Sequence, residues 1–218
     1  FSEDPILSGY CAAAMCKGAL SKGMIVYIKH IGLNDQETNR NNVCTWATEQ
    51  SIREIYLRAF EMAIKEGGAN GVMTGMNRIG YIKAIGNYSM TTGILRNEWN
   101  FHGIVVSDIT SDGTLTDGML SSGADTMLTT GMCLLTTTDE NKYQNLMREV
   151  MHRVCYNVVN SSAMNGITVG SSGGSEGFPV YIIVLAVVNV LIVAGFITAE
   201  VFMVKAYKKQ KKESEANG

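Results

Sequence analysis

The chain has 218 residues, of which 46% are hydrophobic and 17% charged, and its formal net charge is −2. Without a basic field or an acidic block, this balance counts against nucleic acid as a partner and against a long disordered tail. The five cysteines (Cys11, Cys16, Cys44, Cys133 and Cys155) are odd in number and scattered, with no CxxC pair. That pattern argues against a zinc site and excludes a complete disulfide framework, so most of them are expected to be small buried apolar residues.

The opening Phe1-Ser2-Glu3-Asp4-Pro5 has neither the charged n-region nor the apolar h-region of a signal peptide, and truncation of a longer protein is the expectation. Short apolar runs then alternate with helical patterns. Residues 24–28 (Met-Ile-Val-Tyr-Ile) predict a strand buried on both faces. Over residues 46–66, Ile52, Ile55, Tyr56, Ala59, Phe60, Ala63 and Ile64 recur on one helical stripe, which Gly67-Gly68 stops. Residues 71–74 predict a second strand, residues 88–98 a helix, residues 104–107 a third strand and residues 126–128 a weaker fourth. Tyr143, Met147, Val150, Val154 and Val158 mark a last amphipathic helix.

Such alternation implies an α/β fold with a parallel sheet. Four strand–helix units cannot close a (β/α)8 barrel, which takes about 250 residues. Residues 1–160 therefore predict a partial (β/α)8 TIM-type barrel, about its second half, or else a small open sheet.

Residues 161–177 are rich in Ser, Gly and Asn and predict a flexible stalk. No charged residue occurs from Gly177 to Ala199. A membrane-crossing helix needs about 20 apolar residues, so residues 178–204 predict a single transmembrane α-helix in contact with the lipid bilayer, with Asn189 its awkward polar group. Lys205, Lys208, Lys209, Lys211 and Lys212 follow at once. The positive-inside rule then makes residues 205–218 a cytoplasmic tail and places residues 1–160 outside the plasma membrane.

Polar residues close three of the predicted strands: Lys29-His30, then Asn77 and Arg78, then Ser107-Asp108. In parallel α/β folds this edge is where ligands bind. Each pair has a plainer reading by itself. Ser-Asp after a strand equally caps a helix, and Lys-His equally sits in a solvated turn. Parallel packing of successive strands is what would bring the three together.

Several stretches share their order and spacing with one known family. They are Phe-Ser-Glu-Asp-Pro at 1–5 with Leu7-Ser8-Gly9, Lys29-His30 leading into Asn34-Asp35-Gln36-Glu37, residues 52–61 (Ile-Arg-Glu-Ile-Tyr-Leu-Arg-Ala-Phe-Glu), and residues 95–108 ending in Ser107-Asp108. Over roughly residues 1–130 the chain resembles the family 3 glycoside hydrolases. The resemblance implies an exo-acting β-glycosidase of β-glucosidase or β-xylosidase type, with a carbohydrate substrate, no cofactor and no metal. It makes Asp108 the nucleophile of a retaining double displacement. Lys29 and His30 would hold sugar hydroxyls, joined by Arg40 ten residues beyond the histidine.

Two positions depart from the family. Met76 stands where a tyrosine normally hydrogen-bonds the nucleophile, and Ile109 stands where a tryptophan commonly follows it. Retaining hydrolysis also needs a second carboxyl group about 5–5.5 Å from the first. In the family it comes from a separate α/β domain, expected here upstream in a longer parent protein. Asp35, Glu37 and Asp112 read as solvated loop carboxylates. The chain alone is accordingly expected to be weak or inactive. The alternative is a non-catalytic, membrane-tethered remnant or carbohydrate-binding module, which Met76 and Ile109 favour and the polar strand ends oppose.

Overall fold

The computed structural model describes residues 1–110, 112, 115–133, 135–136, 139–165 and 180–216. They belong to two units, Phe1–Gly166 and Ile167–Gly218. In the first unit six strands occur in chain order: β1 (Tyr27–Ile31), β2 (Cys44–Thr45), β3 (Gly71–Thr74), β4 (Arg78–Ile79), β5 (Ile82–Lys83) and β6 (Ile104–Val106). Its helices are α1 (Pro5–Leu20), α2 (Glu49–Ser51), α3 (Arg58–Lys65), α4 (Thr116–Ser122) and α5 (Glu140–Val159).

The main sheet is parallel, in the order β1-β3-β6, with Val72 of β3 opposite both Ile28 and Val105. Val72 and Val105 are fully enclosed and pack with Ile31, Leu57, Leu95 and Trp99 in one core. The sheet is parallel, as the alternation implies, but its first strand is not buried on both faces: Tyr27 and Lys29 of β1 are exposed. The first strand lies three residues later than residues 24–28. The Val26 N–H is taken by the Asn70 side chain at 2.7 Å, so ladder pairing starts at Tyr27 with Gly71. Lys29 and His30 thus lie within β1, and the strand ends at Gly32, whose φ of 110° suits a residue without a side chain. The weak fourth strand reduces to two isolated parallel bridges, Val106 with Thr126 and Thr110 with Thr129.

Three further expectations need correction. The stripe drawn through residues 46–66 holds at Ala63 and Ile64, which are buried, and at Ile52, Ala59 and Phe60, which are half-buried, but fails at Ile55 and Tyr56. Between α2 and α3 the turn Ile52–Tyr56 bonds five residues back, with Leu57 N–H on Ile52 O at 2.8 Å. One extra residue per turn rotates the inward face by about 100°. Leu57 and Met62 are consequently buried, whereas Ile55 and Tyr56 are exposed. On α5, Tyr143 is buried and Val150 and Val154 half-buried as predicted, but Leu146 takes the inward place of Met147. Of the cysteines, Cys16 is buried and Cys11 half-buried, while Cys44, Cys133 and Cys155 are exposed, and all five are free. A scattered cysteine carries no periodicity of its own, and these three fall on outward positions.

α1 has no apolar periodicity to announce it. Its N-terminus is set by Asp4, whose carboxylate accepts the N–H groups of Ile6 and Leu7 at 2.8 and 3.1 Å, and by Pro5 in the first turn. It buries only small residues, namely Ser8, Gly9, Ala13 and Cys16. Close approach to α3 is the consequence: a side-chain carbon on Gly9 would lie 2.4 Å from Met62 Sδ.

Asp125 fastens the far side of the sheet. Its carboxylate is fully enclosed and accepts from Arg96 Nη2 at 2.6 Å, Arg153 Nε at 2.5 Å and Val105 N–H at 2.7 Å. Those contacts tie β6 to α5 and to the helical segment Ser89–Glu98.

In the second unit, α6 (Val180–Ala216) contains a 24-residue stretch, Ile182–Lys205, long and apolar enough to cross a membrane by length and composition. Of the predicted stalk, residues 166–177 lie outside the described residues, as do residues 178–179 of the predicted spanning helix.

Candidate active site

Ser107 and Asp108 follow β6 directly. Ser107 is buried between the sheet and the next segment: its N–H donates to Thr126 O at 3.2 Å and its Oγ accepts from Leu128 N–H at 3.0 Å. This double tether holds the backbone from which Asp108 projects. The helix-cap reading of Asp108 fails, because α4 starts only at Thr116. Instead the Asp108 carboxylate, 11% exposed, receives side chains from within β1 and from the loop that follows it. Arg40 Nη1 donates to Oδ2 at 3.3 Å, His30 Nε2 lies 3.5 Å from the same oxygen, and Oδ1 accepts from Ile109 N–H at 2.7 Å.

Burial pushes the His30 imidazole below its ordinary value. The Asp108 charge opposes that shift, while Lys29 and Arg40 add to it. At neutral pH His30 is therefore uncharged and lies against Asp108 as a neutral neighbour, not as an ion pair. Arg40 also reaches Glu37 Oε2 at 3.4 Å, but Glu37 is 76% exposed and the pairing is weak.

A pocket of about 350 Å³ opens over Asp108, lined among others by Thr74, Met76, Arg78, Lys83, Ile109 and Asp112. The Lys83 ammonium donates to Met76 O at 3.0 Å and to Asn41 O. Burial and the neighbouring Arg78 push Lys83 down, and Asp112 pulls it up. The Thr74 hydroxyl, at the end of β3, is buried with no hydrogen-bond partner among the described residues. Asn77 does not face the pocket. It is fully buried, and its amide N–H groups bind Gly32 O at 2.5 Å and Thr45 Oγ1 at 3.2 Å, bracing the loop that carries Arg40.

Of the residues singled out in the sequence, His30, Arg40, Met76 and Asp108 thus gather at one place. Lys29 goes elsewhere. It is exposed and lines a larger, mainly apolar groove of about 860 Å³ against β1, together with Phe1, Tyr27, Tyr56 and Phe60. The smaller pocket is the chemical one, because it is lined by the buried carboxylate that Arg40 contacts. Asp35 lies in the larger groove, where burial pushes its carboxyl up. Asp112 is exposed at the edge of the smaller pocket. Lys83 and the Thr74 hydroxyl were missed in the sequence, where neither belongs to a strand-end pair. Among the described residues, no three His, Cys, Asp or Glu side chains group as a metal site would require.

Known proteins share this arrangement of chain and strands. The family description "Glycosyl hydrolase family 3 N terminal domain" matches residues 1–162. Beta-glucosidase A of Butyrivibrio fibrisolvens is 44% identical over 108 residues, which is 50% of this chain and 13% of that protein. Beta-glucosidase B of Emericella nidulans is 42% identical over 125 residues, 57% of this chain and 15% of that protein. Among solved structures, beta-glucosidase 3B from Thermotoga neapolitana in complex with glycerol superposes with a TM-score of 0.66 at 32% identity, covering 75% of this chain and 24% of that one. A beta-glucosidase from Paenibacillus barengoltzii superposes with a TM-score of 0.68 at 28% identity over 82% of this chain and 22% of that one. The chain thus spans only a small part of the length of the curated relatives it matches. With the matched region extending over the whole of β1 to α5, the chain belongs to the glycosyl hydrolase family 3 N-terminal domain family.

Proposed function

We propose that this chain carries the nucleophile half of a retaining β-glycosidase of β-glucosidase type, with Asp108 attacking the anomeric carbon of a β-linked glucoside. One observation carries the reading: Arg40 and His30, distant in sequence, converge on the buried Asp108 carboxylate at the C-terminal edge of a parallel sheet. Arg40 gives Asp108 Oδ2 a charge-assisted hydrogen bond that fixes the orientation of the carboxylate. The names of the relatives support the substrate class.

In the first step Asp108 forms a bond to the anomeric carbon. The bond to the aglycone oxygen breaks, and its electron pair leaves with that oxygen, which takes a proton from an acid. In the second step water, deprotonated by the same group, displaces Asp108 and restores its carboxylate. The resemblance assigns the acid–base group to a separate α/β domain, and the same source is proposed here. Met76 presents a thioether beside Asp108 where a tyrosine hydroxyl would donate, so the pocket works with one donor fewer. Lys29, on the other side of β1, is proposed to meet substrate only through groups that close the larger groove.

The anchor belongs to the same proposal. Ile182–Lys205 is read as a single transmembrane helix, with the lysines after it in the cytoplasm and residues 1–160 outside the plasma membrane. At 1.5 Å per residue this stretch covers about 36 Å, against a hydrocarbon core of about 30 Å.

The test is intact-mass analysis after incubation with 2-deoxy-2-fluoro-β-glucosyl fluoride, whose leaving group departs without acid assistance. An adduct that maps to Asp108 and is absent from Asp108→Ala is expected. Folded protein that stays unlabelled sinks the nucleophile reading and leaves the non-catalytic one.

A further inference from the structure

We infer that α6 pairs within the membrane with the α6 of a second copy of this chain, through the face that carries Asn189. The inference rests on the reading of Ile182–Lys205 as a membrane-spanning helix. Two side chains in that stretch carry uncharged hydrogen-bonding groups, Asn189 and Thr198. Their situations differ. The Thr198 hydroxyl donates to Ala194 O at 2.7 Å and is satisfied inside its own helix. The Asn189 amide is exposed and has no hydrogen-bond partner among the described residues.

Its depth makes that matter. Asn189 stands about 10 Å along the helix axis from Ile182, and the middle of the stretch, between Val193 and Ala194, lies about 7 Å further on. In a hydrocarbon core about 30 Å thick the amide is therefore well below the headgroups. Its side chain is too short to snorkel out to water as a lysine does. An amide left bare in hydrocarbon is costly, because both its N–H groups and its oxygen want partners. Glu200, the one carboxylate in the stretch, lies close to Lys205 and so near the hydrated end.

A second copy is the partner that fits such a group. It enters the membrane in the same orientation, because the same lysines follow it. A parallel two-fold pair sets Asn189 against Asn189 at one depth. Each amide then donates an N–H to the other's oxygen, and a slipped register loses both bonds. Asn189 also selects the face, which an apolar helix does not do by itself. At alternating steps of three and four residues from it come Leu185 and Ile182 on one side, and Ile192 and Phe196 on the other. These are the seam positions of a left-handed helix pair, crossing at about 20°. Glu200 falls beside this seam and not in it.

The full chain is placed in micelles of a zwitterionic detergent, and its mass is read by sedimentation equilibrium at several detergent-to-protein ratios. A dimer is expected that dissociates as detergent is added at fixed protein concentration, because helices in micelles are diluted by detergent alone. Asn189→Leu should weaken the dimer about tenfold, and Asn189→Gln, which keeps an amide, by less than about threefold. Ala194→Leu, on the far side of the helix, should leave it within about twofold. Each variant is also reconstituted into phosphatidylcholine vesicles and washed with alkaline carbonate, to check that it stays embedded. If the embedded wild-type chain is monomeric, the pairing is overturned, the spanning reading stands, and the Asn189 face is left for the helix of another protein. A dimer that ignores Asn189→Leu or the detergent ratio overturns the pairing equally, as does an equal loss from Ala194→Leu. A wild-type chain that the wash removes overturns both readings.

Discussion

Asp125 and Asp108 are each paired with arginine, and they differ in almost everything else. Asp125 is wholly enclosed, with three donors at 2.5 to 2.7 Å from Arg153, Arg96 and Val105. Asp108 keeps 11% of its side chain in contact with solvent, has Arg40 and His30 at 3.3 and 3.5 Å, and faces a pocket. Short, saturating contacts leave a carboxylate nothing further to do. Longer ones with an open side leave it oriented and still able to form a bond. A buried acid with an arginine is thus a strut or a reagent according to how completely its oxygens are covered.

Breaking the strut should have the largest effect. Asp125→Asn leaves two guanidinium groups facing a neutral amide in a closed site, and a broken buried pair costs about 3–5 kcal/mol. Urea denaturation of the full chain in micelles should show a loss of that size. A loss below about 1 kcal/mol would mean that Arg96 and Arg153 find other acceptors without strain.

The reagent should behave in the opposite way. Asp108→Asn is expected to keep stability within about 1 kcal/mol of the wild type, because its contacts are long and partly solvated. The same substitution should abolish labelling by the fluoroglycoside entirely. Arg40→Ala should slow that labelling about 10- to 100-fold, the worth of one charge-assisted hydrogen bond, with the adduct still on Asp108. Equal stability losses for Asp108→Asn and Asp125→Asn in the denaturation curve would erase the distinction between them.

The two carboxylates were also unequally legible in the sequence. Asp108 could be found because it follows a continuous β-rich run, and because the motif leading to it resembles a known family. Arg40 came from the same resemblance, and nothing in its local sequence points inward. Asp125 had neither advantage, since its partners Arg96 and Arg153 are 29 and 28 residues away. α1 escaped notice because small residues pack without apolar periodicity, although Asp4-Pro5 is a legible start. The small sheet β2-β4-β5 is built of two-residue strands, too short to show alternation. The parallel sheet and the pocket edge were readable. Contacts set by the third dimension alone were not.

A smaller effect concerns His30, which separates the two sites by pH. Its folded value lies below the unfolded value of about 6.5, so the unfolded chain takes up the proton first as the pH falls. The stability gained by holding His30 neutral is complete above about pH 6.5 and is lost as pH falls through the lower folded value. His30→Gln should flatten this part of the stability curve measured between pH 7 and pH 5. An unchanged slope would assign the acid sensitivity to other groups, such as Glu61, whose carboxyl is held low despite its burial by hydrogen bonds from Lys65 and Arg58.

The smallest effect is expected where the geometry is good and the burial is absent. Arg53 meets Glu98 through two hydrogen bonds, at 2.5 and 2.9 Å, and also reaches Glu49 at 2.9 Å. These contacts are as short as those on Asp125. Yet the Arg53 and Glu98 side chains are 38% and 46% exposed, so water and salt screen the pair and holding both side chains costs entropy. Arg53→Ala should therefore change stability by less than about 1 kcal/mol, and by less still in high salt. A loss approaching that of Asp125→Asn would show that contact length, not enclosure, decides what an arginine–carboxylate pair contributes here. The small loss expected instead would place Asp125, Asp108 and Glu98 on one scale set by how far each carboxylate is withdrawn from water.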